Sequence, residues 1–510
     1  MSGFSRTPQN WNLSDLPPPW GDRPSIYQHV RAHLSTGPEG LTQGGESLPD
    51  DEVFRSQSHV HPVTDAPDEA FGTDWAPDEA RTGASIFGAL KRATRAPSQA
   101  NVGRLYHSVV ASSGIDYLDP FRYLLIDDAT VDRRRAHALA KWFARGAADR
   151  EVVKWALATL RVVSWDEVDL LLTLGRHEEF TSHAVDAARD SVSDPDRVIW
   201  ELARHVTGWA RVHAISCLAG TSDQAIKSWM LREWFDQSIV ILWTAYTRAT
   251  TGGLLDALSS EQIDDDLLKG AGQILLALID VSGCLRGMSH YVEGAAAVEG
   301  YLGHVLRSAG TLRQFLVVEG ITRFCTDGGR DWATLAAYGW TPERRARIER
   351  QALGFLARDH WSALAIAGLS EDGAEFDDAV TVAQALGIDT WDRQFRRLVG
   401  GEDRWYEVML TDDPQRVERV TALALERIPH DLNLFLIVQE LARFPGKGLA
   451  LVHAALRRSE IGNRKVALKA LAAWGESRWG PETRAVLEAA RDIEPVDEVR
   501  ERMGKLLSGE

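Results

Sequence analysis

The residues best equipped for chemistry stand together at Arg176-His177-Glu178-Glu179, with His183 one helical turn beyond Glu179. Positions four apart share a helix face, so Glu179 with His183, and Glu201 with His205, make two carboxylate–imidazole pairs. On neighbouring hairpins such pairs would suit acid–base work or metal ligation. Trp209, Arg211 and His213 follow in the chain and join the group if consecutive hairpins stack. A tryptophan beside a guanidinium anchors a peptide or a small ligand well. The plainer reading is a helix start with an acidic first turn, solvated pairs beyond it, and Arg211 tying adjacent units through carboxylates. Arg176, His177, Glu178, Glu179, His183, Trp209, Arg211 and His213 are therefore candidate ligand or partner contacts, with no catalytic role assigned.

Other chemistries have less to stand on. Zinc sites want three or four convergent ligands; His59 with His61, and His29 with His33, have no cysteine or third histidine near them, so they read as surface histidines and no metal is assigned. Cys217, Cys284 and Cys325 lie far apart without a thiolate-ligand signature, and their odd number fits a reducing, cytoplasmic setting rather than a disulfide frame. No phosphate-binding loop of the G-x-x-x-x-G-K-[ST] kind is present, and Gly270-Ala271-Gly272 lacks the third glycine and preceding strand of a dinucleotide fingerprint. No Glu-x-x-His pair of the di-iron type occurs. No cofactor is expected.

Charge and length narrow the partners. The 510 residues carry a formal charge of −16, which argues against a broad nucleic-acid surface, since phosphate binding rests on Lys and Arg. Arg133-Arg134-Arg135, and Arg344-Arg345 with Arg347 and Arg350, read as helix surfaces; on one concave face they would instead form a basic groove. The longest apolar run, near Ile274 to Val281, is broken by Asp280 and falls short of the ~18 residues of a membrane span. The N-terminus shows no basic region followed by an apolar core, so no membrane or secretory role is expected.

Residues 1–80 differ from the rest: 13 acidic residues oppose four arginines, and ten of the 19 prolines fall here. Such a stretch repels itself and sustains little regular structure, so an acidic, Pro-rich, partly disordered arm is expected. One short helix is legible where Ile26, Val30, His33 and Leu34 share a face. Trp11, Trp20, Phe54 and Trp75 are the rings that would pin the arm down.

From residue 81 onward helix follows helix. Asp194-Pro195, Thr341-Pro342 and Asp413-Pro414 each place a capping oxygen before a proline that has no N–H to leave unsatisfied. Asp264-Asp265-Asp266 caps the helix that follows it, and Gly252-Gly253, Gly328-Gly329 and Gly400-Gly401 supply stops. A cation followed by small or apolar residues three, six and seven positions on recurs at Arg211, Arg464 and Arg500, and partly at Lys154. Arg464 and Arg500 are 36 positions apart, near the period of HEAT and armadillo units. Short connections predict antiparallel hairpins of 151–163 with 166–174, 179–192 with 195–206, and 209–219 with 223–234. The 18 tryptophans, among them Trp142, Trp155, Trp165, Trp200, Trp209, Trp229, Trp234 and Trp243, would wedge between helical layers.

The segment from Leu170 to Phe180, with Gly208-Trp209-Ala210-Arg211-Val212-His213-Ala214 and Ala245 to Gly253, resembles a group of bacterial HEAT-repeat-like proteins, over roughly residues 25–330. The resemblance implies a stacked helical array. Some members of the group are labelled limonene hydroxylase, which would imply an oxygenase acting on an apolar small molecule, and no catalytic residues transfer with the label. The expectation is thus an all-α HEAT/armadillo-like solenoid: an arm over 1–80, an N-terminal array over 81–330 and a C-terminal HEAT-like array over 331–510. Solenoids present extended recognition faces. A non-enzymatic scaffold for a protein or peptide partner leads, an apolar-substrate hydroxylase is the alternative, and a nucleic-acid-binding HEAT protein is the third reading.

Overall fold

The structure is a computed structural model that describes residues 13–35, 37, 40–57, 75–163, 166–281, 283, 285–370, 375–427 and 430–509. Trp11, His59, His61, Trp165 and Cys284 lie outside the described residues. Among the described residues the regular structure is helical throughout, apart from one isolated bridge between Leu34 and Leu41. No described helix is long and apolar enough to cross a membrane. Contacts between Cα atoms divide the chain into two compact units, Met1–Gly310 with Val317–Phe355, and Thr311–Leu316 with Leu356–Glu510.

The first unit opens with α1 (Ile26–Ala32), α2 (Asp51–Gln57), α3 (Pro77–Arg95), α4 (Gln99–Val110), α5 (Leu118–Asp127) and α6 (Arg133–Gly146). There follow α7 (Arg150–Val163), α8 (Val168–Leu174), α9 (Glu178–Ser191), α10 (Pro195–Ala203), α11 (Gly208–Cys217) and α12 (Gln224–Arg232). Then come α13 (Ser238–Gly252), α14 (Leu254–Leu258), α15 (Asp265–Asp280) and α16 (Gly294–Val305), followed by α17 (Leu312–Thr326), whose residues before Val317 are counted with the second unit, and by α18 (Trp332–Ala337) and α19 (Pro342–Leu356). The second unit carries α20 (Trp361–Gly368), α21 (Phe376–Ala385), α22 (Trp391–Val399), α23 (Trp405–Met409) and α24 (Pro414–Arg427). It ends with α25 (Asp431–Leu441), α26 (Leu449–Leu456), α27 (Ile461–Trp474), α28 (Thr483–Ile493) and α29 (Asp497–Ser508).

Local chemistry explains where these helices begin and end. Asp194 accepts the Arg197 N–H ahead of Pro195, Asp413 accepts the Gln415 N–H at 2.8 Å ahead of Pro414, and Asp264 accepts the Leu267 N–H at 2.8 Å. Gly253, at φ +73°, closes α13 in the left-handed conformation that a Cβ disfavours. Gly270 has a packing task instead of a phosphate: a Cβ there would collide with the Leu231 carbonyl, so its absence lets α15 approach α12.

Packing runs between alternate helices. In the first unit α3 packs on α5, α5 on α7, α7 on α9, α9 on α11, α11 on α13 and α13 on α15. In the second, α23, α25, α27 and α29 form one such series and α24, α26 and α28 another. The expected hairpin of α9 with α10 is present. The other two pairings are corrected: α7 packs against α6 and α9 rather than α8, and α11 against α9, α10 and α13 rather than α12. Helix α8 has only seven residues and packs against α1, α9 and α10. A connection of a few residues brings helices near without dictating which faces meet. Trp155 is fully buried between Phe121 and Phe143, with ring centroids at 5.6 and 5.8 Å, while Trp142, Trp200, Trp209, Trp229 and Trp243 pack part-buried against the same core.

Polar ties accompany the stacking, each joining residues 25 to 32 positions apart. Arg161 meets Asp186 at 2.8 Å, Arg176 meets Glu201 at 3.1 Å, and Arg232 meets Asp264 at 2.8 Å. In the second unit Arg419 meets Asp392 at 3.0 Å, Asn433 meets Asp403 at 3.0 Å, and Arg464 meets Glu494 at 2.7 Å. The exposed pairs contribute little each. Arg464 and Glu494 are buried, and the two cations of the 36-residue spacing converge on Glu494: Arg464 holds its carboxylate and Arg500 its carbonyl. Arg211 departs from the expected carboxylate tie. Its Nη2 donates to the Arg204 carbonyl at 3.5 Å and its guanidinium lies 5.2 Å from the Phe235 ring.

The described part of the arm is docked. Trp20 packs on Trp142 and Tyr106 with centroids 4.7 and 5.8 Å apart, over Gly146, where a side chain would collide with the indole. Arg23 binds Asp149 at 2.6 Å, and Ser25 caps α1 while donating to the Arg145 carbonyl at 2.7 Å. Asp50 engages Arg150, whose guanidinium lies 4.1 Å from the Phe54 ring, and Trp75 meets Tyr123 at 5.5 Å.

Candidate functional site

The eight residues singled out from the sequence lie on α9 and the two residues before it, and on α11, without converging on one point. His177 caps α9: its Nδ1 accepts the Glu179 N–H at 3.2 Å, and its Nε2 donates to the Glu46 carbonyl of the arm at 3.1 Å. Burial holds its pKa below the usual histidine value, in keeping with a neutral ring committed at both nitrogens. Glu179 turns to Lys154 and Arg150 of α7; burial opposes its charge, but those cations still hold its pKa below the ordinary glutamate range. Arg176 reaches Glu201 on α10, and Glu178 faces solvent. Trp209 sits half-buried against Trp243, with centroids 4.8 Å apart. The two expected carboxylate–imidazole pairs therefore form no joint site. Glu179 is engaged by α7, while Glu201 and His205 do pair, Nδ1 lying 2.8 Å from the Glu201 carbonyl and 3.5 Å from its Oε1, which Arg176 also holds. His29 and His33, expected on the surface, lie half-buried with rings 4.4 Å apart.

The basic runs are also committed in part. Arg344 and Arg347 both bind Glu299, Arg345 lies over Trp332, Arg133 donates to the Val162 carbonyl and Arg135 to the Thr94 carbonyl.

Two of the eight do open onto chemistry. His183 lines a cleft of about 200 Å³ between α5, α7 and α9, with Asp116, Asp119, Arg122, Arg161 and Asp186. Behind Asp186, His213 Nε2 lies 3.2 Å from Asp186 Oδ1 and 3.7 Å from Cys217 Sγ. Asp186 and Cys217 were not among the sequence candidates. The available signal was the four-residue spacing of His213 and Cys217 on one helix face; nothing local pointed to Asp186 on α9. Arg161 holds Asp186 Oδ2 at 2.8 Å, and Arg189 stands 3.6 Å from Oδ1 and 3.7 Å from the sulfur.

The electrostatics separate the two histidines. Burial, aided by the Lys154 charge, pushes His183 down to about 4. Burial also opposes protonation of His213, but its bonds to Asp186 and Cys217 outweigh this and carry it up to about 10. Asp186, likewise opposed by burial, is held down to about 2 by His213 and Arg161. A nucleophile–base–acid relay needs the two imidazole nitrogens to face different partners. Here Asp186 and Cys217 both face Nε2, so the trio is not arranged as a proton relay.

One pH dependence follows. An unfolded histidine titrates near 6.5, whereas His183 stays neutral in the fold down to about 4. Above pH 6.5 this costs nothing; as pH falls from 6.5 to 4 the unfolded chain takes the proton and stability drops, by up to about 3 kcal/mol. His213 has the opposite sign, its contribution being complete below 6.5 and lost as pH rises through 10. His183→Gln should reduce the loss between pH 6.5 and 4 in chemical unfolding, leaving the smaller shares of His29, His137, His177 and His453, whose pKa values burial also lowers, and, toward pH 4, of carboxylates such as Glu179 that nearby cations hold below their ordinary range. Parallel profiles for the two proteins would refute the assignment.

Comparison with protein-family models, with curated proteins and with solved structures finds no match to this chain.

Proposed function

We propose that the chain is a non-enzymatic scaffold of HEAT type, an α-solenoid that holds a protein or peptide partner along its stacked helices. The observation that carries this reading is the series of alternate helices from α3 to α15 in the first unit and from α23 to α29 in the second, with side-chain ties between residues 25 to 32 positions apart. Units that contact chiefly their neighbours leave long faces free for recognition. The sequence candidates support the same reading, because Arg176, His177 and Glu179 are spent on contacts between elements rather than gathered around a substrate. The half-buried Trp209–Trp243 pair, where α11 meets α13, is the favoured anchor, since part-exposed tryptophans dominate binding energy at interfaces.

The test is affinity capture on the immobilised full chain from a lysate of the native cells at several salt concentrations, beside a Trp209→Ala variant. A stoichiometric protein partner is expected, bound about 30-fold more weakly by the variant, a loss of about 2 kcal/mol. Recovery of no such partner at any salt overturns the reading. So does purification with one equivalent of haem, flavin or iron, which would favour the hydroxylase alternative. Steeply salt-dependent retention on DNA would favour nucleic-acid binding instead.

A further inference from the structure

The geometry points to a divalent-cation site of the zinc class at Asp186 Oδ1, His213 Nε2 and Cys217 Sγ, which would clamp α9 to α11. The three donor atoms all lie within 4.8 Å of one another. A tetrahedral zinc with bonds of about 2.0 Å to nitrogen and oxygen and about 2.3 Å to sulfur would space N and O about 3.3 Å apart and N and S about 3.5 Å apart. The corresponding separations are 3.2 and 3.7 Å, so the two edges that meet at His213 Nε2 already have the lengths of a metal tetrahedron, and the third, from Oδ1 to Sγ, is within 4.8 Å. A shared Nε2 proton can hold both neighbours, and a cation entering the site would displace that proton and take the same three donors.

The donor set is chemically selective. One thiolate, one imidazole and one carboxylate favour zinc or cobalt over calcium or magnesium, which demand oxygen ligands. Three protein ligands leave a fourth position for water or a partner's side chain. Helix geometry prepares the site, since His213 and Cys217 occupy successive turns of α11 and Asp186 faces them from α9. Arg161, from α7, binds the other carboxylate oxygen and so orients Oδ1 toward the donors, the task of a residue behind a metal ligand.

Arg189 is the group that competes. It reaches both Oδ1 and Sγ from α9, and its side chain is 42% exposed, free to swing into solvent when a cation enters. Asp190 nearby already holds both Arg161 and Arg189. Arg189 thus sets the affinity from outside the ligand set, and removing it should tighten binding.

Titration of the full chain with Co(II) tests this. One equivalent should bind with a thiolate-to-cobalt charge-transfer band and tetrahedral d–d bands, and Zn(II) should displace it. Cys217→Ser should abolish the charge-transfer band, Asp186→Asn should weaken binding about 10–100-fold or more, and Arg189→Gln should strengthen it. Far-UV circular dichroism checks that each variant is folded. Should Cys217→Ser fail to fold, alkylation of the native protein mapped to Cys217 decides: Zn(II) must slow it about tenfold or more. A cobalt spectrum without the thiolate band, a band that persists in folded Cys217→Ser, or alkylation of Cys217 indifferent to zinc overturns the proposal.

Discussion

Arg248→Ala should lower the stability of the first unit by about 3–5 kcal/mol, among the largest effects of any single substitution there. The guanidinium is fully buried on α13 and answers three acceptors. Its Nε donates to the Met230 carbonyl at 2.8 Å, its Nη2 to the Glu233 carbonyl at 2.7 Å and its Nη1 to Gln273 Oε1 at 3.2 Å, with the Phe235 ring 4.5 Å away. Two of these acceptors lie at the C-terminal end of α12, where carbonyls lack helical partners and the dipole is negative. Burial lowers the pKa of Arg248, partly offset by the Glu233 charge, so the helix end and the aromatic face stabilise a cation held out of water. Alanine would leave a cavity and strand the Met230 and Glu233 carbonyls; Gln273 would keep its two bonds to the Phe235 backbone, accepting the N–H at 3.3 Å and donating to the carbonyl at 2.7 Å. Arg248→Lys keeps the charge but not the planar fork and should cost about 2 kcal/mol. Urea unfolding followed by tryptophan fluorescence measures both, and a native-like midpoint for Arg248→Ala would refute the account.

Asp50→Ala should release the arm from the body, at a cost of about 3–5 kcal/mol. Asp50 accepts the Arg150 backbone N–H at 2.8 Å, so it caps α7 from a segment 100 residues earlier, and it also takes the guanidinium at 2.9 Å. Asp50 and Arg150 are both buried, so removing the carboxylate leaves a buried cation with Asp51 and Glu179 as its remaining acidic partners. Asp51 is more exposed, and Asp51→Ala should cost only about 1 kcal/mol. Limited proteolysis reads the difference: cleavage within residues 40–57 should quicken markedly in Asp50→Ala and little in Asp51→Ala. Equal rates in the two variants would show that the aromatic contacts of Trp20 and Phe54, not this ion pair, hold the arm.

The contrast between these groups shows which features the chain reveals by itself. Helix, cap and stop were legible because they depend on neighbours within one turn: Asp194 before Pro195, Asp264 before Leu267, Gly253 after α13. The tryptophans announced tight inter-helix packing, which Trp155 provides. Trp20 and Phe54 were legible as pins because large rings seldom stay in water, but the acid that joins them, Asp50, looks like any other charge in an acidic arm.

What the amino-acid order determined alone was the all-helical character, the punctuation of the helices and the distinct composition of the first 80 residues, because backbone dihedral preference and capping act over three or four positions. Only the tertiary structure decided which helices touch, sending α7 to α9 instead of α8, and which side chains share a point in space. Asp186 and His213 are 27 residues apart, and Arg150 and Asp50 are 100. Contacts across such separations arise from how apolar stripes bury against one another, and no local spacing records that choice.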